Sequence, residues 1–222
     1  MRVSVVIPTL NEAQSIRKTI WTTWRNRADE IIVVDGGSRD DTCDTAREGD
    51  CKVLRAGQPS RGLQLKLGAA HARGDVVLFL HADTWLEDDG IAQIRTELDD
   101  PSVLGGAFRQ RIEARGVRYR LLEWGNAQRV RWFGMAYGDQ GIFLRRDFLQ
   151  QIGGVPAIPL MEDMELMRAF LRHARPKLLP GPIHVSPRRW QRKGVARQTL
   201  RNFMLRARYR RGVPPEQLAR DY

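Results

Sequence analysis

The alternation of short apolar runs with helix-like segments over the first hundred residues constrains the fold of this chain more than any other feature. The apolar runs are rich in Val and Ile, a pattern typical of buried parallel strands. Parallel neighbours need crossover connections, and the segments between the runs have helical spacing. The predicted strands are residues 3–7, 31–34, 52–54 and 76–80, and the predicted helices are residues 12–24, 40–48 and 63–72. This order predicts an α/β fold with a parallel, doubly wound sheet.

Signals in the second half are less regular. Residues 105–111 and 141–144 are predicted strands, and residues 176–187 are predicted to be extended or looped. The predicted helices are residues 118–129, 162–173 and 195–211. Because the 222 residues contain no long linker, we expect a single domain.

Positive charge is concentrated near the C-terminus. The net charge is +11, and fourteen Lys and Arg residues but no acidic residue lie between Glu165 and Glu216. Such a block indicates an anionic partner: membrane phospholipid, a phosphorylated substrate or nucleic acid.

Targeting signals and cysteines limit the class of protein. No apolar run reaches the roughly 18 residues of a spanning helix, and the N-terminus enters a strand without a signal-peptide pattern. We therefore expect a cytoplasmic protein, with contact at the inner face of the cell membrane as an option. The two cysteines, Cys43 and Cys51, have no C-x-x-C spacing, which argues against a zinc or redox site.

Acidic side chains follow three of the predicted strands. Glu12 follows the first strand, Asp35 ends the second, and Asp83 follows the fourth. Each of them alone could be a helix cap or a turn residue. Together they lie at the carboxyl edge of the predicted sheet, where open α/β folds bind ligands.

A second acidic motif, Glu162-Asp163, opens a helix about eighty residues after Asp83. One acid that holds a metal-bound diphosphate and another that takes a proton are the minimal equipment for moving a sugar off a nucleotide. The alternative is that both acids only cap the following helix.

Three motifs carry a family resemblance: V-V-I-P-T-L-N-E at residues 5–12, I-I-V-V-D-G-G-S-R-D-D-T at 31–42, and F-L-H-A-D at 79–83. In order and spacing the chain resembles a family 2 glycosyltransferase with the GT-A fold. The resemblance implies a Rossmann-like, mostly parallel sheet flanked by helices, with a basic C-terminal helix. Within one such domain it implies a nucleotide-binding half (1–100), an acceptor and catalytic half (101–185) and a basic helical tail (186–222). The second half resembles a small bacterial subgroup without a well-defined acceptor.

The resemblance implies a donor site for a nucleotide sugar, with UDP as the expected nucleotide. Thr9 and Glu12 would hold the nucleoside, Asp35 would accept the N3–H of uracil, and Arg61 would approach the base or diphosphate. The residues implied in donor binding are Pro8, Thr9, Glu12, Asp35, Arg61, Ala82 and Asp83.

The implied metal site departs from the family pattern. His81 occupies the first position of the usual D-x-D signature, while Asp83 keeps the position that normally carries the metal. Mg²⁺ or Mn²⁺ suits an oxygen ligand plus phosphate. His184 is a second candidate ligand, because some relatives have a metal-binding histidine there, although a lone histidine is more often structural.

The resemblance also implies catalytic and acceptor residues. Asp163 would be the general base of an inverting transfer, and Glu162 could exchange roles with it. Asp139 and Gln140 could bind the acceptor or form a turn. Arg188, Arg189 and Trp190 are similar to the Q/R-x-x-R-W element of processive members, or they form a solvated basic face.

The predicted helix 195–211 is amphipathic. Its apolar side carries Ala196, Leu200, Phe203, Met204 and Ala207, with arginines toward the flanks. This pattern fits a helix on an anionic membrane, and it fits equally a helix packed on the domain with its arginines in water. The acceptor is therefore unknown, with phosphorylated and lipid-linked molecules as candidates.

Two other functions compete with sugar transfer. A sugar-phosphate nucleotidylyltransferase would need a Gly-rich, Arg-containing loop after the first strand, and P-T-L-N-E at residues 8–12 has none. A nucleic-acid-binding protein would suit the pI of about 10.5, but no nucleic-acid motif is present and no nucleic-acid partner is expected.

Overall fold

The computed structural model describes residues 1–221. Strands and helices alternate in the first half as the apolar runs predict. The elements are β1 (Val3–Thr9), α1 (Ala13–Arg25), β2 (Glu30–Asp35), α2 (Thr42–Glu48), β3 (Lys52–Arg55), α3 (Arg61–His71), β4 (Val76–Phe79), β5 (Thr84–Leu86) and α4 (Gly90–Glu97).

The second half completes the sheet and adds a helical C-terminal segment. Its elements are β6 (Gly105–Ile112), α5 (Val117–Phe133), a 3-10 turn (Gly138–Gln140), β7 (Phe143–Arg145), α6 (Arg146–Gln151), α7 (Glu162–Leu171), β8 (Lys177–Val185), α8 (Arg188–Lys193), α9 (Val195–Arg210) and α10 (Pro215–Arg220). Among the described residues, no helix combines the length and the apolar content needed to cross a bilayer.

All eight strands found in residues 1–221 form one sheet in the order β3-β2-β1-β4-β7-β6-β8-β5. Strands β1 to β4 run parallel, and the register places Thr9 opposite Asp35 and Val6 opposite Phe79. The carboxyl ends of β1, β2 and β4 therefore meet at one edge. This confirms the predicted α/β class and the mostly parallel sheet.

Antiparallel strand β7 lies between β4 and β6 and joins the two halves of the sheet. Strand β8 runs parallel to β6 and antiparallel to β5. The backbone N–H of Ser186 donates to the carbonyl of Asp83 at 3.1 Å. The chain that leaves β8 is thereby fixed beside the end of β4, which brings the C-terminal segment to the ligand edge.

Apolar side chains pack on both faces of the sheet, as expected for buried parallel strands with helices on each side. A third cluster joins Leu160, Met161 and Met164 to Leu205 of α9 and Leu218 of α10. The C-terminal segment is thus packed against the start of α7.

The structure differs from the sequence prediction in a few places. Residues 176–187, predicted as extended or looped, contain the nine-residue strand β8. The short elements β5, α4, α6, α8 and α10 were not predicted. Three residues are too few for an alternation signal in β5, which depends on pairing with β8 rather than on its own sequence.

Candidate functional site

A pocket opens at the carboxyl edge of β1 and β4, and we call it the donor pocket after the role that the family resemblance implies for its residues. Its lining includes Pro8, Thr9, Glu12, Arg61, Gln64, His81, Ala82, Asp83 and Arg189. Six of the seven residues that the resemblance assigns to donor binding are in this set. Gln64, which was not predicted, fixes the pocket wall because its amide donates to the carbonyls of Thr9 (2.8 Å) and Val34 (2.7 Å).

Asp35 lies at the end of β2 beside this pocket rather than in its lining. Its carboxylate accepts hydrogen bonds from the backbone N–H groups of Gly37 (2.9 Å) and Ser38 (3.0 Å). Burial opposes ionisation, but bonds from Ser38 and Gly37 outweigh it and lower the pKa of Asp35. Asp35 is therefore a fixed negative charge in the 35–38 turn.

Asp83 and Glu12 both lie near the positively charged side chain of Arg188. The Arg188 guanidinium lies 2.7 Å from the Glu12 carboxylate and 3.6 Å from that of Asp83. A phosphate-bound Mg²⁺ or Mn²⁺ is commonly held by one or two carboxylates, with phosphates and water completing its shell. Asp83 offers such a carboxylate, so it fits this mode of binding. Within the described chain no group of three His, Cys, Asp or Glu residues could enclose a metal alone.

His81 lies between the donor pocket and the neighbouring cavities. Its Nε2 atom is buried, and no atom of residues 1–221 forms a hydrogen bond with it. A Cβ atom on Gly138 would lie 2.6 Å from this nitrogen, so the imidazole packs directly on the Gly138 backbone. Burial, with Arg61 and Arg189 nearby, holds the pKa of His81 well below its usual value of 6.5. The first position of the acidic signature therefore holds an imidazole whose uncharged form is favoured by burial and by the two arginines.

Glu162 and Arg61 form a buried ion pair. Glu162 is completely buried, and its carboxylate receives two hydrogen bonds from the Arg61 guanidinium, one of them at 3.2 Å. Burial raises the pKa of Glu162 even though Arg61 favours its ionised form. Because Arg61 belongs to α3 and Glu162 to α7, the pair connects the two halves of the sheet.

Asp163 is placed differently from its neighbour and lines a second pocket, which we call the acceptor pocket after the role that the family resemblance implies for Asp139 and Arg189 in its lining. Its carboxylate accepts hydrogen bonds from the N–H groups of Gly138 (3.0 Å) and Met164 (2.8 Å). The nearby residue Met161 has a φ of 69°, a strained conformation for a side chain of this kind. At this strained turn before α7, Glu162 points to Arg61 in the ion pair, whereas Asp163 points into the pocket.

Helix α9, which the sequence predicts as residues 195–211, completes the acceptor pocket, and its contribution to this pocket was not predicted. The pocket lining includes Arg61, His81, Tyr137, Asp139, Asp163, Arg189, Asn202, Leu205 and Arg206. A connected cavity adds Trp190 and Gln198. Burial raises the pKa of Asp139. Of the five predicted acceptor residues, the structure brings Asp139, Arg189 and Trp190 together here.

The orientation of α9 explains why these residues were missed. The inward face carries Gln198, Asn202, Leu205 and Tyr209, and the Tyr209 hydroxyl donates to Glu165 of α7 at 2.8 Å. The available signal was the spacing i, i+4, i+7 and i+11 of Gln198, Asn202, Leu205 and Tyr209, in which one leucine lies among polar side chains. The apolar side of α9 faces outward, and contact of this side with a membrane stays a prediction.

Three predicted site residues have other contacts in the structure. Gln140 is fully buried, and its amide oxygen accepts from Arg129 (2.5 Å) and the Tyr137 N–H (3.2 Å), so it supports the 3-10 turn instead of facing an acceptor. Arg188 lies at the donor pocket between Glu12 and Asp83, not in the acceptor pocket.

His184 is the third of these residues. Its ring nitrogens bond to Glu113 (2.7 Å) and Glu87 (2.8 Å), and the ring stacks on Trp85. Both nitrogens are engaged by carboxylates, so the structure does not arrange His184 as a partner of Asp83.

The amino-acid sequence of this chain is similar to those of known glycosyltransferases. The sequence profile of glycosyl transferase family 2 matches residues 4–153. An undecaprenyl-phosphate 4-deoxy-4-formamido-L-arabinose transferase of Salmonella choleraesuis is 28% identical over 156 residues, which cover 65% of this chain and 48% of that protein. The chain thus spans about half the length of the curated relatives it matches.

Solved structures share the fold. The mannosyltransferase PcManGT from Pyrobaculum calidifontis, in complex with GDP-Man and Mn²⁺, has a TM-score of 0.69 at 21% identity, covering 82% of this chain and 56% of that one. TarS from S. aureus (residues 1–349) has a TM-score of 0.68 at 19% identity, covering 84% and 61%. Glucosyl-3-phosphoglycerate synthase from Mycobacterium tuberculosis, with Mn²⁺ and UDP-glucose, has a TM-score of 0.59 at 21% identity, covering 83% and 69%. At these identities the likeness concerns the fold alone.

Proposed function

Because the chain belongs to glycosyl transferase family 2, we propose that it transfers a sugar from a nucleotide-sugar donor to an acceptor hydroxyl. The observation that carries the proposal is the position of Asp163. Its carboxylate lines the acceptor pocket, and Arg61, His81 and Arg189 are shared by that pocket and the donor pocket. A transferred sugar would lie at this boundary, between a leaving diphosphate and a base.

In the proposed inverting reaction, the acceptor oxygen attacks the anomeric carbon while the bond from that carbon to the diphosphate breaks. Asp163 takes the proton of the acceptor hydroxyl, and the nucleoside diphosphate leaves with the bonding electrons. The N–H groups of Gly138 and Met164 hold the Asp163 carboxylate in place. Glu162 orients Arg61 through the buried ion pair and is not exposed to act as the base.

Asp83 is the residue we propose for holding Mg²⁺ or Mn²⁺. Such a cation supplies a charge that offsets the negative charge building on a departing diphosphate. Arg61 and Arg189 line the same pocket and add positive charge from the chain itself. For the donor we propose a UDP-sugar, and the fixed carboxylate of Asp35 supports this because it could accept the uracil N3–H.

For the acceptor we propose a phosphorylated, lipid-linked molecule, used by a cytoplasmic protein at the inner face of the membrane. Arg189 and Arg206 both line the acceptor pocket, and guanidinium groups are well suited to phosphate. The relatives named as undecaprenyl-phosphate transferases support a lipid-linked phosphate at this site. In the proposed acceptor, the hydroxyl that Asp163 deprotonates is a different group from this phosphate.

The test is a thermal-shift panel of UDP, GDP, CDP and ADP and their sugars, each with Mn²⁺ or with EDTA. A ligand at a hundred times its Kd stabilises a protein by about 2.7 kcal/mol, or roughly 5–11 °C for a chain of this size. Asp83→Asn should abolish the Mn²⁺-dependent part of the shift. Asp99→Asn, which changes an exposed carboxylate outside the pocket, is the matched control. A panel in which no nucleotide raises the Tm would overturn the proposal.

A further inference from the structure

An apolar surface that lies outside both pockets spans two helices, α5 and α9. Side chains from both helices line a shared groove, which includes Leu121 and Leu122 of α5 and Ala196, Leu200 and Phe203 of α9. Leu121, Leu200 and Phe203 of this groove are strongly exposed, and so are three apolar side chains beside them on the same helices, Val117 and Trp124 of α5 and Met204 of α9; we call these six residues the apolar ridge. Their exposed fractions run from 49% to 75%.

The exposed apolar side chains of the ridge lie along one face of each helix and are not scattered singly over the surface. Val117, Leu121 and Trp124 have the i, i+4, i+7 spacing of one helix face, and so do Ala196, Leu200 and Phe203. In α9 the buried side chains are Gln198 and Leu205, whereas Leu200, Phe203 and Met204 are exposed, so most of the large apolar side chains of this helix face outward. Contiguous exposed apolar patches of this kind mark interaction sites.

Charge identifies the kind of partner. On α5, α8 and α9, all of them within residues 1–221, the sole acidic side chain is Glu123, which is largely buried and pairs with Arg120 at 3.0 Å. Arg118 and Arg131 of α5 and Arg197 of α9 are exposed around the ridge. The ridge is therefore an apolar centre with a cationic border.

We propose that the apolar ridge docks on the surface of an anionic lipid bilayer. Leu and Phe side chains enter the headgroup–acyl boundary, and Trp124 suits the polar–apolar interface. The bordering arginines meet anionic headgroups. A second copy of the chain would place like charges opposite each other. Nucleic acid would leave six apolar side chains against a polar backbone.

Docking on a bilayer would also affect the acceptor, because α9 contributes to both the apolar ridge and the acceptor pocket. The outward face of this helix belongs to the ridge, and its inward face supplies Asn202, Leu205 and Arg206 to the acceptor pocket. A bilayer on the ridge would hold that pocket one helix diameter, about 10 Å, from the headgroups. This use of the ridge rests on the lipid-linked acceptor proposed above, whereas binding to the bilayer does not.

The experiment is flotation of the whole chain with vesicles of phosphatidylcholine alone or mixed equally with phosphatidylglycerol. The native protein should float with the mixed vesicles and be released by high salt. Leu121→Ser/Phe203→Ser should bind at least about tenfold more weakly, since burial of one such side chain already exceeds the 1.4 kcal/mol of a tenfold change. Trp21→Ser changes a side chain of α1 that is 57% exposed and is the matched control.

Three outcomes would overturn the ridge as a membrane surface: no binding to mixed vesicles, equal binding by the double variant, or sedimentation of the native chain as a stable dimer that the double variant does not form. The nucleotide thermal shift is read on the same samples. If the shift is present and flotation fails, the docking surface is wrong and the transferase stands. If flotation succeeds and no nucleotide shifts the Tm, the transferase is wrong and the surface stands.

Discussion

Removing Arg61 should destabilise the protein in a way that depends on pH. The Glu162 carboxylate is completely buried, and the Arg61 side chain opposite it is 23% exposed. Breaking a buried ion pair by removing one partner costs about 3–5 kcal/mol, because the other charge stays uncompensated. The partial exposure of Arg61 lets water reach the site, so we expect the lower end. For a chain of this length about 3 kcal/mol is a Tm loss of roughly 6–12 °C.

The sign of the pH dependence follows from Glu162. Burial already raises its pKa above the ordinary 4.5, and loss of Arg61 should raise it further. A group whose folded-state pKa is raised contributes stability below its unfolded pKa and loses that contribution as the pH rises through the folded value. The deficit of Arg61→Met should therefore be larger at pH 8 than at pH 5.5.

Thermal melts of Arg61→Met, Glu162→Met and the double variant at both pH values measure this. The double variant should recover most of the loss, since two apolar side chains replace the pair. Arg17→Met breaks the exposed Arg17–Glu48 pair (side chains 71% and 62% exposed) and should cost little at either pH. A deficit for Arg61→Met that is the same at both pH values and is not relieved in the double variant would refute the reasoning.

Three further variants test the site. Asp163→Asn should lower turnover by about 10²–10⁴-fold, while its affinity for the donor stays unchanged. If Glu162→Gln is inactive and Asp163→Asn is active, the general base is Glu162 instead. Asp83→Asn should abolish the gain in UDP affinity on adding Mn²⁺, measured by calorimetry, and an undiminished gain would remove Asp83 from the metal role. Gly138→Ala should cost about 1–3 kcal/mol in chemical denaturation, because overpacking displaces a neighbour, here the His81 ring 2.6 Å from the new Cβ. The loss should shrink when His81→Ala is added, and strictly additive losses would exclude this contact as the cause.

The strand ends were predictable because two local signals agree there. Buried parallel strands show as apolar runs, and their carboxyl ends must meet at one edge, so the amino-acid sequence is enough to assign Thr9 and Asp83 to a common pocket. The helix starts beside them follow from the same alternation. Nothing beyond short-range pattern was required.

The meeting of His81, Gly138 and Asp163 could not be predicted in the same way. Their contacts depend on β7, an antiparallel strand of three residues between β4 and β6. So short a strand carries no register information in its own sequence. The contact that positions Asp163 therefore exists only after tertiary pairing is complete.

The direction in which α9 faces was ambiguous for a physical reason. An amphipathic helix normally buries its apolar side, and the apolar side of α9 would have been chosen on that rule. The helix is instead held by Leu205, which packs with Met164 and Leu218, and by the Tyr209–Glu165 hydrogen bond. These few contacts of the inward face fix the orientation of the helix, and its wider apolar side stays exposed.

The boundary between the two pockets carries positive charge from arginine side chains that line both of them. Arg61 and Arg189 line both, and the neutral imidazole of His81 stands where the resemblance leads one to expect a carboxylate. A second carboxylate at this point would repel a diphosphate until a metal offset it, whereas an uncharged ring leaves the field of the two arginines undiminished. In the proposed function, a donor diphosphate and an anionic acceptor would be attracted by the same cations, Arg61 and Arg189, from opposite sides. Departure of the diphosphate would change the charge felt in the acceptor pocket without any movement of the chain.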